Sequence, residues 1–249
     1  MSSKKDFLRD ARIWDFVARN ACDEIAAGGW KNSYDGNLFS VEEMREYADD
    51  VYLKLQRHLD KTKTCVLEVG CASGITMYRI APYVKRYIGT DMAKENLKKN
   101  EKRNIEHKIT NIELEQCRAD EILKFKDEHI NIIIINSVIQ YFGTEEYLLD
   151  IIKKAATLIE NDGILYIGDV RDAELKAHYE QSVIDYYSLH QMDLRGIRTS
   201  DELFVKRDFF TELKDQYPFV KQVLITEKLG SIENELTKYR YDVLINIEK

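Results

Sequence analysis

The sequence predicts an α/β protein built on a mostly parallel sheet, with helices on both faces and an antiparallel pair at its end. Three observations predict it. Between residues 64 and 170, short apolar runs alternate with helix-length ones, the pattern of repeated strand–helix units. The stretch "HINIIIINSVIQYF" at 129–142 sets four isoleucines side by side, which suits a strand buried on both faces in the middle of a parallel sheet. The last two apolar runs, "FVKQVLITEKL" and "KYRYDVLINI", are joined only by "GSIENELT", short enough for a hairpin.

The elements follow in order. Residues 5–28 and 40–59 read as helices, the second opened by Ser40 as N-cap with Glu43 three positions on, a capping box. Between them "GGWKNSYDGN" is a loop rich in turn formers and aromatics. "TCVLEV" is a strand, "SGITMYRIAPYV" a helix, "RYIGTD" a strand and "AKENLKKNEKR" a helix. "IELEQCRA" is a third strand, leading into a short helix around "DEILKF". After the isoleucine strand come the helix "TEEYLLDIIKKAATLIE", the turn "NDG" and the strand "ILYIGDV". Helical segments at 172–192 and 205–216 precede the closing hairpin. The whole reads as one domain, 1–249. Residues 1–60 form an N-terminal helical cap, 61–171 the core, 172–216 a helical insertion and 217–249 the hairpin.

With 249 residues, 33% charged and 44% hydrophobic, the chain has an ordinary globular balance and length enough for a large core. No apolar run reaches the roughly 18 residues that a membrane span needs. The N-terminus carries acidic residues and no apolar signal region, so a cytoplasmic protein is expected. A net charge of −7 disfavours nucleic acid as the main partner. The basic run "KENLKKNEKR" reads as a solvated helix face. Cys22, Cys65, Cys71 and Cys117 contain no C-x-x-C pair, and the five histidines show no metal-ligand spacing. Free thiols and no metal are expected.

In open α/β sheets, ligands bind past the carboxyl ends of the strands. The greasy 129–142 run ends there in Asn136, Ser137, Gln140 and Tyr141. "VLEVGCASGIT" sets Gly70, Ala72 and Gly74 between the first strand and its helix, a turn that lets a ligand approach helix N–H groups closely. A dinucleotide fingerprint would need glycine at 70, 72 and 75; Ala72 and Ile75 break it. Asp91 ends the second strand 21 residues after Gly70, where a carboxylate accepts ribose hydroxyls in nicotinamide and S-adenosylmethionine sites alike. Asp120 follows the third strand. Each of these two acids also immediately precedes a helix, so an N-cap role is the competing explanation.

"LEVGCASG", "YIGTDMA", "RADEI" and "NSVIQYF", in this order, resemble class I S-adenosylmethionine-dependent methyltransferases. "WKNSYDGNLFSVEEM", "LYIGDVRDAELKAHYEQSV" and "NELTKYRYDVLI" sharpen the match. They are similar to the methyltransferase domains embedded in nonribosomal peptide synthetases, most of which N-methylate an aminoacyl group. This chain is expected to be a stand-alone counterpart. The resemblance implies a Rossmann-like sheet of order 3-2-1-4-5-7-6 with strand 7 antiparallel, and S-adenosylmethionine as cofactor. Its cofactor residues would be Tyr34, Glu68, Gly70, Cys71, Ala72, Gly74, Asp91, Met92, Asp120, Glu121, Asn136 and Ser137. Among these, Asp91 would hold the ribose, Met92 the adenine face, Asp120 the adenine amino group, and Glu68 the ammonium through the loop. Tyr34 would cover the ligand. Tyr141, Asp169, Asn234, Glu235 and Arg240 are the catalytic candidates, and Gln140, Arg171, His178 and Glu233 the substrate-side ones.

Alternatives stay open at this level. Arg240 fits a grip on a substrate oxygen or an ion pair with Asp169 or Glu235. His178 fits a structural role, and Tyr179, Tyr186 and Tyr187 fit either a pocket wall or a helix core stripe. Lys98, Lys99, Lys102 and Arg103 would suit an acidic carrier protein if the acceptor is carrier-bound. The acceptor is expected to be a small molecule or a carrier-bound group, with an amine favoured over oxygen or carbon. A non-catalytic cofactor-binding partner is the non-enzyme reading. A homodimer is compatible with the sequence, which does not fix the oligomeric state.

Overall fold

The computed structural model describes residues 4–193 and 202–249, with side chains from residue 11 onward. Seven strands form one sheet: β1 (Cys65–Val69), β2 (Arg86–Asp91), β3 (Ile112–Gln116), β4 (Ile130–Asn136), β5 (Ile159–Arg171), β6 (Val220–Glu227) and β7 (Arg240–Glu248). Their order is β3-β2-β1-β4-β5-β7-β6, with β7 antiparallel to both neighbours, as expected. The isoleucine run explains itself in register. Ile133 and Ile135 enter one core with Leu67, Leu165 and Val243, while Ile132 and Ile134 enter the core on the opposite face with Val66, Met77 and Tyr166. A strand with a packed layer on each side needs apolar side chains at every position.

The helices are α1 (Lys4–Asn20), α2 (Glu24–Ala27), α3 (Val41–Leu55), α4 (Ile75–Ile80), α5 (Lys94–Glu106), α6 (Glu145–Leu158), α7 (Lys176–Leu189), α8 (Arg207–Thr211), α9 (Leu213–Gln216) and α10 (Glu235–Lys238). Among the described residues, no helix is long and apolar enough to cross a membrane. The Ser40–Glu43 capping box opens α3 as predicted.

Several boundaries differ from expectation, each for a local reason. The helix expected over 5–28 is broken because Asp23 accepts the Ala26 N–H and starts a new turn. The third strand stops at Gln116 rather than Ala119, and residues 119–125 coil into a 3-10 turn. No turn forms at Asn161–Gly163. The backbone is already extended from Ile159, which pairs with Ile130, and the β4–β5 register slips before Ile132. Gly163 is needed at that slip, since a Cβ there would lie 2.3 Å from the Asn131 carbonyl oxygen. The 205–216 helix is interrupted at Glu212, and α10 occupies the linker of the terminal hairpin. Part of the 172–216 insertion, residues 194–201, lies outside the described residues.

Candidate active site

The carboxyl ends of β1, β2, β4 and β5 and the start of β7 open onto a cleft of about 720 Å³. Over β1 and β2 its wall is the glycine turn. The Gly70 and Cys71 N–H groups both donate to the Thr90 carbonyl at 2.7 and 2.8 Å, folding the turn back across β2. Gly70 has φ +79°, and a Cβ there would sit 2.5 Å from Val138 Cγ2, so only glycine fits without displacement. Gly74, at φ +86°, caps α4 from behind the lining.

Asp91 is buried at the cleft wall. Its carboxylate accepts the Ala72 N–H at 2.8 Å and the Ala93 N–H at 2.7 Å, which locks the glycine turn to the end of β2. Burial still outweighs those bonds and pushes its pKa up to about 6. Glu68 lines the same wall and is buried outright. Desolvation raises it to about 8, although the Tyr87 hydroxyl donates to it at 2.9 Å.

Over β4, β5 and β7 the wall is ionic. Arg240 donates through Nη1 to Asp169 at 2.5 Å and through Nη2 to Glu235 at 3.2 Å. Glu235 also accepts the Ser33 N–H at 2.8 Å and the Ser33 hydroxyl at 3.1 Å. The Ser137 hydroxyl donates to Asp169 at 2.6 Å. Asp169 thus lies beneath the lining rather than in it, and it sets the two lining residues Ser137 and Arg240. Both of the ion pairs that sequence reading allowed for Arg240 are present. Arg171, also on the wall, pairs with Glu202. Tyr141 stands at the mouth, 56% exposed, with its ring edge-on to Trp14 of α1 at 5.6 Å.

Buried polar atoms without a hydrogen-bond partner among the described residues gather on this cleft. They include Ser73 Oγ, Asn96 Oδ1, Asn136 Oδ1, Gln140 Oε1 and Arg240 Nε, all from lining residues. Buried polar groups are normally paired, so this concentration marks a ligand surface. An adenosyl ligand fits the β1–β2 part. The turn has no side chain at Gly70, Asp91 offers a carboxylate, Met92 lines the wall beside it, and Ser73, Asn96 and Asn136 present unpartnered polar atoms. Cys71, Ala72 and Ser137 line the cleft as well.

Other expected residues lie outside the lining. Asp120 is turned onto Arg118, which grips it at 2.7 and 2.9 Å, and the Glu121 carboxylate accepts the Arg118 N–H, capping the 3-10 turn. Both acids sit in the first turn of this 3-10 segment and engage Arg118, its N-cap residue. Tyr34 exchanges a hydrogen bond with Ser182 at 3.0 Å and stacks edge-on against Tyr186, tying the 31–38 loop to α7. His178 sits on the solvent face of α7. Glu233 is exposed and pairs with Lys238. Asn234 caps α10, accepting the Leu236 and Thr237 N–H groups while donating to Glu43. Four basic residues of α5 are engaged within the chain: Lys98 with Glu95, Lys99 with the Ala18 carbonyl, Lys102 with Glu106, Arg103 with Glu24.

Sequence reasoning missed Ile13, Trp14, Trp30, Ser33, Asn96 and Glu202, all of which line the cleft. Trp30 and Ser33 belong to the aromatic turn-rich loop, whose composition was a usable signal. Trp14 had none, since a tryptophan on a helix is ordinary core material.

A family model described as a methyltransferase domain matches residues 60–221. Chondramide synthase of Chondromyces crocatus is 32% identical over 228 residues, which cover 88% of this chain and 6% of the synthase. Enniatin synthase of Fusarium equiseti is 28% identical over 248 residues, covering 91% of this chain and 8% of that one. The chain therefore spans less than a tenth of the length of these curated relatives. The crystal structure of magnesium protoporphyrin IX methyltransferase from Synechocystis PCC 6803 with bound SAH aligns with a TM-score of 0.61. It is 13% identical and the alignment covers 96% of this chain and 100% of that one, a likeness of fold.

Proposed function

From the premise that the chain belongs to the methyltransferase-domain family and is an S-adenosylmethionine-dependent enzyme, we propose that it methylates an amine nitrogen. The acceptor would be an amino acid, a peptide or a carrier-bound aminoacyl group. The observation that carries this reading is the floor formed by Arg240, Glu235 and Gln140. On the lining of one cleft it offers an unpartnered buried donor, Arg240 Nε, an unpartnered buried acceptor, Gln140 Oε1, and the Glu235 carboxylate that Arg240 holds. An amine next to a carbonyl presents the complementary set: N–H donors and a carbonyl oxygen.

When bound, S-adenosylmethionine supplies an activated methyl group and a neutral thioether as leaving group. The residues expected to hold it are Gly70, Ala72, Asp91, Met92 and Asn136. The reacting amine must be neutral, and in this reading Glu235 takes its proton. Arg240 Nε orients the acceptor by its carbonyl oxygen. Its guanidinium is fixed by two carboxylates, so little reorganisation is required on binding. Trp14 and Tyr141, edge-on to each other, give the mouth of the cleft an aromatic rim.

The test is to incubate the chain with labelled cofactor and a panel of free amino acids, dipeptides and aminoacyl N-acetylcysteamine thioesters, then to locate the label by fragmentation. N-methyl products support the reading. Label on oxygen or carbon, or none on any member of the panel, overturns it.

A further inference from the structure

Behind the cleft lies an ionic cluster that the reaction does not touch. Asp50 and Lys54 of α3, Lys228 just past β6 and Asp242 of β7 have side chains no more than 5% exposed. Lys54 bonds Asp50 at 2.7 Å and Asp242 at 2.5 Å. Lys228 bonds Asp50 at 2.7 Å and both Asp242 oxygens at 3.1 Å. Two cations face two anions, and the remaining bonding capacity goes to main chain: Lys54 to the Glu227 carbonyl and Asp50 to the Leu229 N–H.

Such a cluster is a poor device for stability. Removing four charges from water is costly, and apolar residues of similar volume commonly do as well or better. Its reach into the cleft suggests another role. The β5–β7 register breaks between Ile167 and Val170. At the break Asp169 adopts φ +60°, a conformation that non-glycine residues avoid. Its N–H finds a side chain instead of a ladder partner: it donates to Asp242 Oδ1 at 2.7 Å. From there the chain of contacts continues through the Asp169 carboxylate to Ser137 and Arg240, and through Arg240 to Glu235.

We propose that Asp242, clamped by Lys54 and Lys228, is a positioning residue for the reaction. By holding the Asp169 N–H it fixes the left-handed bulge, and the bulge sets Arg240 and Ser137 at the cleft. Lys54 and Lys228 keep the Asp242 carboxylate ionised and immobile, which a neutral side chain of the same shape does only in part.

The test uses the full chain with Asp242→Leu, which removes the acceptor, and Asp242→Asn, which keeps an oxygen for the Asp169 N–H. Amide hydrogen exchange is read at Asp169 against Ile167 and Val170, so that global destabilisation cancels. In Asp242→Leu the Asp169 amide should exchange about tenfold or more faster relative to those two neighbours. Turnover per folded molecule, on whichever amine the wild type methylates, should fall about 10²-fold in kcat, the scale of a misplaced reacting geometry. Asp242→Asn should recover most of both effects. Equal acceleration of all three amides overturns the proposal, as does selective loosening of Asp169 with kcat unchanged. The turnover arm rests on the amine reading and the exchange arm does not. A wild-type chain that methylates no amine therefore counts against that reading alone, and the exchange ratio still judges the clamp.

Discussion

Glu235 and Ser33, 202 positions apart in sequence, meet through two hydrogen bonds, the Ser33 N–H to Oε2 at 2.8 Å and its hydroxyl to Oε1 at 3.1 Å. The pairing closes the N-terminal loop onto the start of α10 and leaves the carboxylate between a serine and Arg240. Glu235→Gln keeps the size but sets an amide N–H against one of these donors and removes the charge that faces Arg240. We expect kcat to fall about 10²-fold, the scale of a lost proton acceptor. Affinity for the demethylated product, measured by calorimetry, should stay within a few-fold of wild type.

Asn234 makes the opposite prediction, although it is the adjacent residue. It caps α10 and ties it to Glu43. Asn234→Ala should cost about 1 kcal/mol of stability, the usual worth of an N-cap. Turnover per folded molecule should stay near wild type. Thermal melting and activity at low temperature check both halves, and a large kcat defect without a shift in melting would return Asn234 to the acceptor site.

At Gly70, alanine meets two obstacles, a backbone at φ +79° and Val138 Cγ2 at 2.5 Å. The backbone alone is worth roughly 1–2 kcal/mol. Gly70→Ala should lower the melting temperature and weaken S-adenosylhomocysteine about tenfold or more, the effect of roughly 1.4 kcal/mol at the site. Adding Val138→Ala should relieve the contact but not the backbone, so recovery should be partial. Full recovery in the double variant would mean that the conformation carries no cost.

Glu68 gives the ligand-free protein a pH signature. Its carboxyl is raised by burial from an ordinary value near 4.5 to about 8. The folded state therefore holds a proton that the unfolded chain releases. Stability contributed by the neutral carboxyl is complete below pH 4.5 and is lost as the pH climbs toward 8. Asp91, raised to about 6, acts in the same sense over the lower part of that window. In Glu68→Gln the decline should be shallower, seen as melting curves that diverge from wild type with rising pH. Parallel curves would show that Glu68 is ionised throughout.

What the sequence made legible was the sheet. An all-apolar run such as Ile132–Ile135 admits few placements, and a Gly-rich turn after a first strand admits few more. The cleft wall at Gly70, Ala72 and Asp91 follows from those two facts. Asp120 and Glu121 were harder, because an acid after a strand serves a ligand or a helical turn equally well, and no local pattern announces the bonds both make to Arg118, two and three residues away. The hairpin "SIENELT" was read as a row of polar groups over the cleft. A four-residue helix forms there instead, so Glu233 faces water, Asn234 becomes a cap and only Glu235 turns inward. Ser33 and Trp14 reach the cleft through tertiary packing, and no local pattern encodes that.

Ala72, Ser137 and Asp169 hold left-handed backbone at φ +42°, +57° and +60°, around the ends of the first, fourth and fifth strands. Each is a small local debt against folding, of the order of 1 kcal/mol, and each sits where the cleft is made. Selection of this chain for heat resistance would find glycine at these positions an easy gain in backbone comfort. At Ser137 and Asp169 it would also delete the hydroxyl that bonds Asp169 and the carboxylate that orients Arg240. Thermal robustness and turnover thus draw on the same residues, and a variant library screened for one should show its trade against the other concentrated at this edge of the sheet.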